Sequence, residues 1–338
     1  MQNAELVSVS DTLSEIRRKM ADRLRVYTAD YFREHIPELN ELDVTDDMIT
    51  RCPPLIDIIG QKRSCSGCQG FQQCTRPEGM KGFWHKLMVD RRDERSYLDT
   101  YLVQCDPFKA HLKELEWRKL QEFSGKASTD AEFTFGNYPA EQRESYPQTF
   151  QEAMDFANRF EPPEEGQPIS PEFRKGLYLF GLPGVAKTHL VLAICNRLEE
   201  RRVPVLFVRA ESIFDKMRGM LEQKQDIEPI LEQYCRVPVL IIDELAQETP
   251  PTEFTIGKVF RIVNTRFIEG LPTFFTSNYA PTDVYKNASA KVQAAAAEKI
   301  EAIRSRLIKM SKHSHLQGRD GRKIGITFLD APKGGKRQ

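Results

Sequence analysis

The chain has 338 residues, 40% of them hydrophobic, with 49 basic and 49 acidic side chains and a formal net charge of zero. That is length for two domains, or one large domain with an attachment, and enough apolar material for a core. The charge balance argues against an obligate nucleic-acid coat protein, although a local basic patch stays open. No run of about 18 apolar residues occurs, so no membrane contact is expected. The first residues lack the basic start and apolar stretch of a signal peptide, so a cytoplasmic protein is expected. Seven cysteines is an odd number, and most are clustered, which points to metal binding rather than a disulfide framework.

Residues 11–36 read as an amphipathic helix, with Leu13, Ile16, Met20, Leu24, Tyr27 and Tyr31 at steps of three and four. Thr12 and Glu15 have capping-box spacing, and Pro37 lies just past the end. A second helix is expected over 41–60, broken at Pro53-Pro54. The cysteine cluster follows. Cys65 and Cys68 form a C-x-x-C pair that lets two thiolates from one turn reach one ion, and further candidates follow at Cys74, His85 and Cys105. Zinc takes four tetrahedral nitrogen and sulfur ligands, so two of these three would complete the set, with Cys52 a weaker candidate. Such a site is structural, because catalysis needs an open coordination position. Residues 107–127 read as a helix running into a polar break, the best candidate for a domain boundary. The proline-rich stretch 128–170, with one helix near 150–160, reads as a segment wrapping the base of the next domain.

From residue 176 strands and helices alternate, which predicts a doubly wound α/β fold with ligands at the carboxyl ends of the strands. Strands are expected at 176–180, 203–208, 237–244 and 271–278, and helices at 189–200, 211–223 and 253–269. The stretch 290–300 also favours helix. Between the first strand and its helix lies Gly181-Leu182-Pro183-Gly184-Val185-Ala186-Lys187-Thr188, which fits G-x-x-x-x-G-K-[ST] except for Ala186. Strand, tight loop and helix in that order make a phosphate cradle. Backbone N–H groups and the helix N-terminus face the anion. Lys187 would reach the β and γ phosphates of ATP, and the Thr188 hydroxyl would ligate Mg2+. Ala186 stands where glycine is normally wanted for a hard bend.

The strand ending in Asp243-Glu244 matches a Walker B element. Asp243 would hold magnesium through water, and Glu244 would orient or activate the attacking water. Asn278, at the end of the next strand, is placed to sense the γ-phosphate, with Thr276 and Ser277 as alternatives if the register slips. Arg304 and Arg306 are candidates for an arginine finger that reaches a neighbouring subunit's ATP site.

Together the N-terminal cysteine module, GLYLFGLPGVAKT, VLIIDELAQE, LPTFFTSNY and IRSRL resemble the bacterial DnaI-type helicase loaders, AAA+ relatives of DnaC and, more distantly, of DnaA. The resemblance is strongest over residues 176–310. It implies an AAA+ P-loop ATPase domain, a parallel sheet with flanking helices, preceded by a small mainly helical zinc-binding domain. It also implies an ATP-dependent loader of the replicative DNA helicase onto single-stranded DNA. Its partners would be the hexameric helicase, the DNA strand, and further copies of the chain that share ATP sites.

The domains implied are residues 1–110, contacting the helicase; 111–150, linker and base-wrapping segment; 151–330, ATPase; and 331–338, a disordered tail. By the same match Lys187, Asp243, Glu244, Asn278 and Arg306 are the catalytic set. Gly181, Pro183, Gly184, Val185, Ala186, Lys187, Thr188 and His189 hold the nucleotide. Cys65, Cys68, His85 and Cys105 hold Zn2+, with Cys74 as a spare. This sequence departs from the family at three places: Ala186 replaces the usual glycine, His85 stands one residue late with Trp84 in its place, and Ala302 replaces an arginine one turn before the finger. Two other readings share parts of the pattern, an IstB-like transposition helper ATPase and a non-hydrolysing zinc-containing adaptor.

Overall fold

The computed structural model describes residues 27–92, 95–164, 166–248 and 250–321. Most of the helix expected over 11–36, and the tail expected over 331–338, lie outside these residues. The chain divides into two compact units between Glu116 and Trp117.

In the first unit, helix α1 (Ala29–His35) starts at Thr28, whose hydroxyl accepts from the Tyr31 N–H. Helix α2 (Asp46–Thr50) is capped in the same way by Thr45. The pair Pro53-Pro54 breaks the run, and α3 (Leu55–Cys65) begins just after it, since proline is tolerated only at a helix start. Phe32, Leu39, Ile49, Leu55 and Ile58 from these elements form the buried core. The sequence reading missed a hairpin of two ten-residue strands, β1 (Phe83–Arg92) and β2 (Arg95–Gln104). They pair antiparallel from Phe83–Gln104 to Arg92–Arg95. The unit is therefore helical plus a two-stranded sheet. Leu87 and Leu98 lie on the hairpin face that packs on the helical core. Helix α4 (Asp106–Gln121) follows.

The second unit holds five parallel strands: β3 (Gly176–Phe180), β4 (Val205–Arg209), β5 (Val239–Asp243), β6 (Thr273–Ser277) and β7 (Ser311–His315), in the order β4-β5-β6-β3-β7. The interior strands read as continuous apolar runs because both faces are covered. Alternate residues serve opposite cores. Tyr178, Leu206, Leu240 and Phe275 face one core, and Leu179, Phe207, Ile241 and Phe274 face the other. Helices α5 (Ala140–Ser145), α6 (Pro147–Arg159) and α7 (Lys187–Glu200) come first in this unit, and α6 and α7 cover the second core. Helices α8 (Ala210–Glu222), α9 (Glu228–Arg236), α10 (Glu253–Glu269) and α12 (Ala297–Met310) cover the first, and α11 (Ala290–Ala295) is a short turn before α12.

Strand β7 and helix α9 were not expected. The strand is Ser-Lys-His-Ser-His, with no apolar residue, and it is held at the sheet edge beside β3 by backbone pairing and by polar and ring contacts, Ser314 to Thr149, Lys312 to Glu152 and His315 stacked on Phe180. Arg266 is wholly buried at the entry to β5 and β6. It donates to the carbonyls of Tyr234, Val237 and Pro272 and to the Thr273 hydroxyl, at 2.7–3.1 Å. Burial lowers its guanidinium to about 9. No helix among the described residues is long and apolar enough to cross a membrane.

Candidate functional site

The strand order puts β3 between β6 and β7, so the loop after β3 opens beside the carboxyl ends of its neighbours. Gly181 (φ 141°) and Gly184 (φ 83°) make the turns that require glycine. Ala186, at φ 64° and ψ 24°, is left-handed at the N-cap of α7, a conformation that costs a non-glycine residue roughly 1–2 kcal/mol. The irregular residue thus takes up the bend that glycine would otherwise make.

A cavity of about 690 Å³ lies over this loop, within the usual range of roughly 300–1,000 Å³ for small-molecule sites. Its walls bring together Pro183, Gly184, Ala186, Lys187, Thr188 and His189 with Asp243, Glu244 and Asn278. Three elements separated in sequence therefore meet at one place. The Lys187 ammonium donates to the carbonyls of Gly181 (2.7 Å) and Leu182 (2.8 Å) and to Asn278 Oδ1 (3.2 Å). The Thr188 hydroxyl donates to Asp243 Oδ1 at 2.9 Å. These two oxygens are the pair that would hold Mg2+ in a phosphate-loop ATPase. Asp243 is 1% exposed, and burial raises its carboxyl pKa despite hydrogen bonds from Thr276 and Thr188.

Thr276 bridges the two acids. Its hydroxyl donates to Asp243 Oδ1 and accepts from the Glu244 N–H at 2.9 Å. The Glu244 side chain is exposed to the cavity while its backbone is left-handed, with φ 60°. Asn278 follows directly on the end of β6. Ser277 points elsewhere, to the Leu245 carbonyl at 2.7 Å. Gly181 shapes the loop without lining the cavity, and Val185 is buried in the second core.

Residues missed from sequence complete the walls. Asp130, Phe133 and Pro139 come from the stretch expected only to wrap the domain base, and Arg209 and Gln247 end and follow strands β4 and β5. Arg209 is ion-paired to Asp130 at 2.8 Å. His189 anchors the wrapping stretch. Its Nε2 lies 3.1 Å from the Thr134 carbonyl and 3.0 Å from Asn137 Oδ1, its ring packs edge-on to Phe133 and Tyr138, and burial lowers its pKa. The signal available was the aromatic spacing of Phe133, Phe135 and Tyr138, which a polar linker would not need.

Arg306 does not join this cavity. It folds back along α12, donating to the Ala302 carbonyl at 3.0 Å, with its guanidinium 5.4 Å from the Phe260 ring and 5.9 Å from Phe267. Arg304 is tied to the Val284 carbonyl and to Glu301.

In the first unit, Cys65, Cys68, Cys74 and Cys105 line one cavity of about 60 Å³, with Trp84 in its wall. Burial raises the Cys65 thiol pKa; Arg76 opposes this, and the thiols of Cys68 and Cys74 add to it. The structure does not bring His85 to this cavity. Neighbouring strand residues face opposite ways, and His85 shares the Leu87 side of the hairpin. Its Nδ1 lies 3.1 Å from the Thr100 hydroxyl, and its buried Nε2 has no hydrogen-bond partner. Among the described residues no three His, Cys, Asp or Glu side chains stand in a metal-holding arrangement. The chemistry of the four thiols lining one small cavity nonetheless fits a tetrahedral sulfur set better than the expected set with His85.

Comparison with known proteins agrees with the nucleotide-site geometry. The chain is 27% identical over 257 residues to the replicative helicase loader DnaI of Bacillus subtilis (strain 168), covering 74% of this chain and 76% of the relative. It is 30% identical over 99 residues to the replicative helicase loader DnaC of Escherichia coli (strain K12), covering 29% of this chain and 40% of the relative. A solved crystal structure of DnaI shares 26% identity with it, at a TM-score of 0.47, covering 57% of this chain and 96% of that one. The AFG1-like ATPase family matches residues 137–317, more than half of the sequence and all of the nucleotide loop. The chain therefore belongs to the AFG1-like ATPase family, and it is similar to the helicase loaders DnaI and DnaC.

Proposed function

We propose that the protein is an ATP-dependent loader that places a hexameric replicative DNA helicase on single-stranded DNA, in the cytoplasm. The observation that carries this reading is the similarity to a replicative helicase loader over 74% of the chain, well beyond the span matched by the ATPase family alone. The cavity geometry supports the ATPase chemistry. The β and γ phosphates would take Lys187 from its loop carbonyls. Thr188 and Asp243 would hold Mg2+, which supplies charge neutralisation on the transferred phosphoryl group. Glu244 would orient the attacking water, and Asn278 would contact the γ-phosphate.

Residues 1–110 would contact the helicase, 111–150 would link the two and line the nucleotide site, and 151–330 would hydrolyse ATP. Arg306 would act on the site of a neighbouring copy, consistent with its absence from its own cavity. A structural Zn2+ would staple the first unit through Cys65, Cys68 and Cys105, with Cys74 taking the fourth place expected for His85. Single-stranded DNA would bind along the ATPase domain by its phosphates.

The test is co-purification with a hexameric replicative helicase, together with ATP turnover with and without single-stranded DNA. Complex formation that is lost on deletion of residues 1–110, and turnover that is lost in Glu244→Gln, are expected. A complex that survives that deletion overturns the domain roles. No turnover in the intact chain makes it an adaptor rather than a loader with an ATP switch.

A further inference from the structure

Asn278 is bonded on both sides of its amide. Its Oδ1 accepts from the Lys187 ammonium at 3.2 Å, and its Nδ2 donates to Gln247 Oε1 in a short hydrogen bond. Gln247 lines the same cavity. It stands in the loop after β5, where two non-glycine residues, Glu244 (φ 60°) and Ala246 (φ 62°), are left-handed. That loop is held by the Thr276 hydroxyl at the Glu244 N–H, by the Ser277 hydroxyl at the Leu245 carbonyl, and by further bonds. The Leu245 N–H donates to the Thr276 carbonyl at 2.8 Å, and the Asn287 amide donates to the Ala246 carbonyl at 3.3 Å. Gln247 adds the bond that ties the loop to Asn278.

We propose that Gln247 is a positioning residue that competes with the γ-phosphate for the Asn278 N–H donor and so sets the preference for ATP over ADP. The inference rests on the nucleotide-site reading above. The Asn278 amide is held with its Oδ1 toward Lys187 and its Nδ2 toward Gln247, so presenting an N–H to a γ-phosphate oxygen beside Lys187 turns the amide away from Gln247. ADP brings no such oxygen and leaves the Asn278–Gln247 bond intact. ATP binding therefore loses the Asn278–Gln247 hydrogen bond that ADP binding keeps, and it releases one tie on the loop that carries Glu244. The loop then moves in response to the γ-phosphate rather than to nucleotide as such.

The test measures ATP and ADP affinity, with magnesium, by displacement of a fluorescent nucleotide from the full chain. Gln247→Leu keeps the size and removes the acceptor. It should raise the ratio of ATP to ADP affinity by about threefold to tenfold, the range for one net hydrogen bond, with ADP affinity held within about twofold. Gln247→Glu keeps an acceptor and sets a negative charge toward the γ-phosphate, so the ratio should fall. In an Asn278→Ala background the Gln247→Leu change should disappear, because the contested donor is gone. Equal shifts for ATP and ADP, or a ratio change that persists without Asn278, overturn the proposal while leaving the nucleotide site standing. An intact chain that binds neither nucleotide overturns the site reading and this inference with it.

Discussion

The two candidate sites are built in different ways. In the nucleotide cavity the functional side chains already hold one another. Lys187 has three acceptors, and Asp243 Oδ1 receives two hydroxyls. Asp243 ends a buried strand and Lys187 begins a helix packed on the same buried core, so the fold pays the cost of ordering them before any ligand arrives. In the cysteine cavity the four thiols share a wall but stand in no metal-holding arrangement. They come from turns and element ends in a unit with a small core. In the proposed reading the ion would complete such a site and contribute to folding directly.

The largest expected effect tests that difference. Chelation of zinc, or Cys74→Ser, should unfold or loosen the first unit, since apparent binding free energies of structural zinc reach roughly 10–16 kcal/mol. Metal analysis should find about one zinc per chain, lost in Cys74→Ser and retained in His85→Gln. With Co2+ in place of zinc, His85→Gln should leave the visible absorption of a four-thiolate site unchanged. Loss of metal in His85→Gln, with retention in Cys74→Ser, would falsify the thiolate set. Nucleotide affinity should be unaffected by chelation, because the second unit is ordered by its own core.

A smaller effect is expected in the nucleotide cavity, where chemistry rather than folding is at stake. Glu244→Gln removes the carboxylate proposed to orient water while the Thr276 bond to its backbone N–H remains. Turnover should fall by about 10²–10⁴-fold with ATP affinity unchanged. A joint loss of affinity and turnover would mean that Glu244 supports the loop rather than the water.

The same contrast explains what the sequence disclosed. The phosphate loop, the Asp-Glu pair and Asn278 were legible because strand, loop and helix follow one another locally, and the buried parallel strands advertise themselves as apolar runs. The hairpin β1–β2 was not. Its strands carry Trp84, Lys86, Met88, Tyr97 and Tyr101 on an outer face, so the alternation of Leu87 and Leu98 inward is diluted. The choice between His85 and Cys74 needed the hairpin's facing, which spacing does not give. Strand β7 had no apolar signal, because its side chains hold it by polar and ring contacts to Thr149, Glu152 and Phe180 rather than by an apolar face. The walls from Asp130, Phe133 and Gln247 depend on long-range packing that no local pattern encodes.

Asp243 offers a further test of preorganisation, with a stability readout. Its folded-state pKa is raised by burial from 3.8. The neutral form is therefore favoured in the fold, and the stability it contributes below pH 3.8 is lost as pH rises through the folded value. At neutral pH the charged carboxylate is a cost that Mg2+ would offset. Asp243→Asn keeps an oxygen able to accept from both Thr188 and Thr276. It should raise the melting temperature of the metal-free chain at pH 7 by about 2–4 °C and abolish turnover. The stability gain should shrink as pH falls toward 4. A melting temperature that drops at pH 7 would mean that the two hydroxyl bonds are worth more with the charge than without it.

The smallest effect concerns Ala186. Its left-handed backbone costs roughly 1–2 kcal/mol, and Ala186→Gly removes that strain. The same change raises the entropy of the unfolded chain, by about 0.4–1 kcal/mol, and removes a methyl group that packs against the second core. These terms nearly cancel, so melting should shift upward by no more than about 2 °C. The backbone N–H groups that face the phosphates are the same in both chains, and Lys187 and Thr188 keep their places, so turnover should change by less than about threefold. A turnover gain above about tenfold would show that the strain acts on the reaction, through the approach of the loop to the phosphates, and that this cavity is less preorganised than its hydrogen bonds indicate.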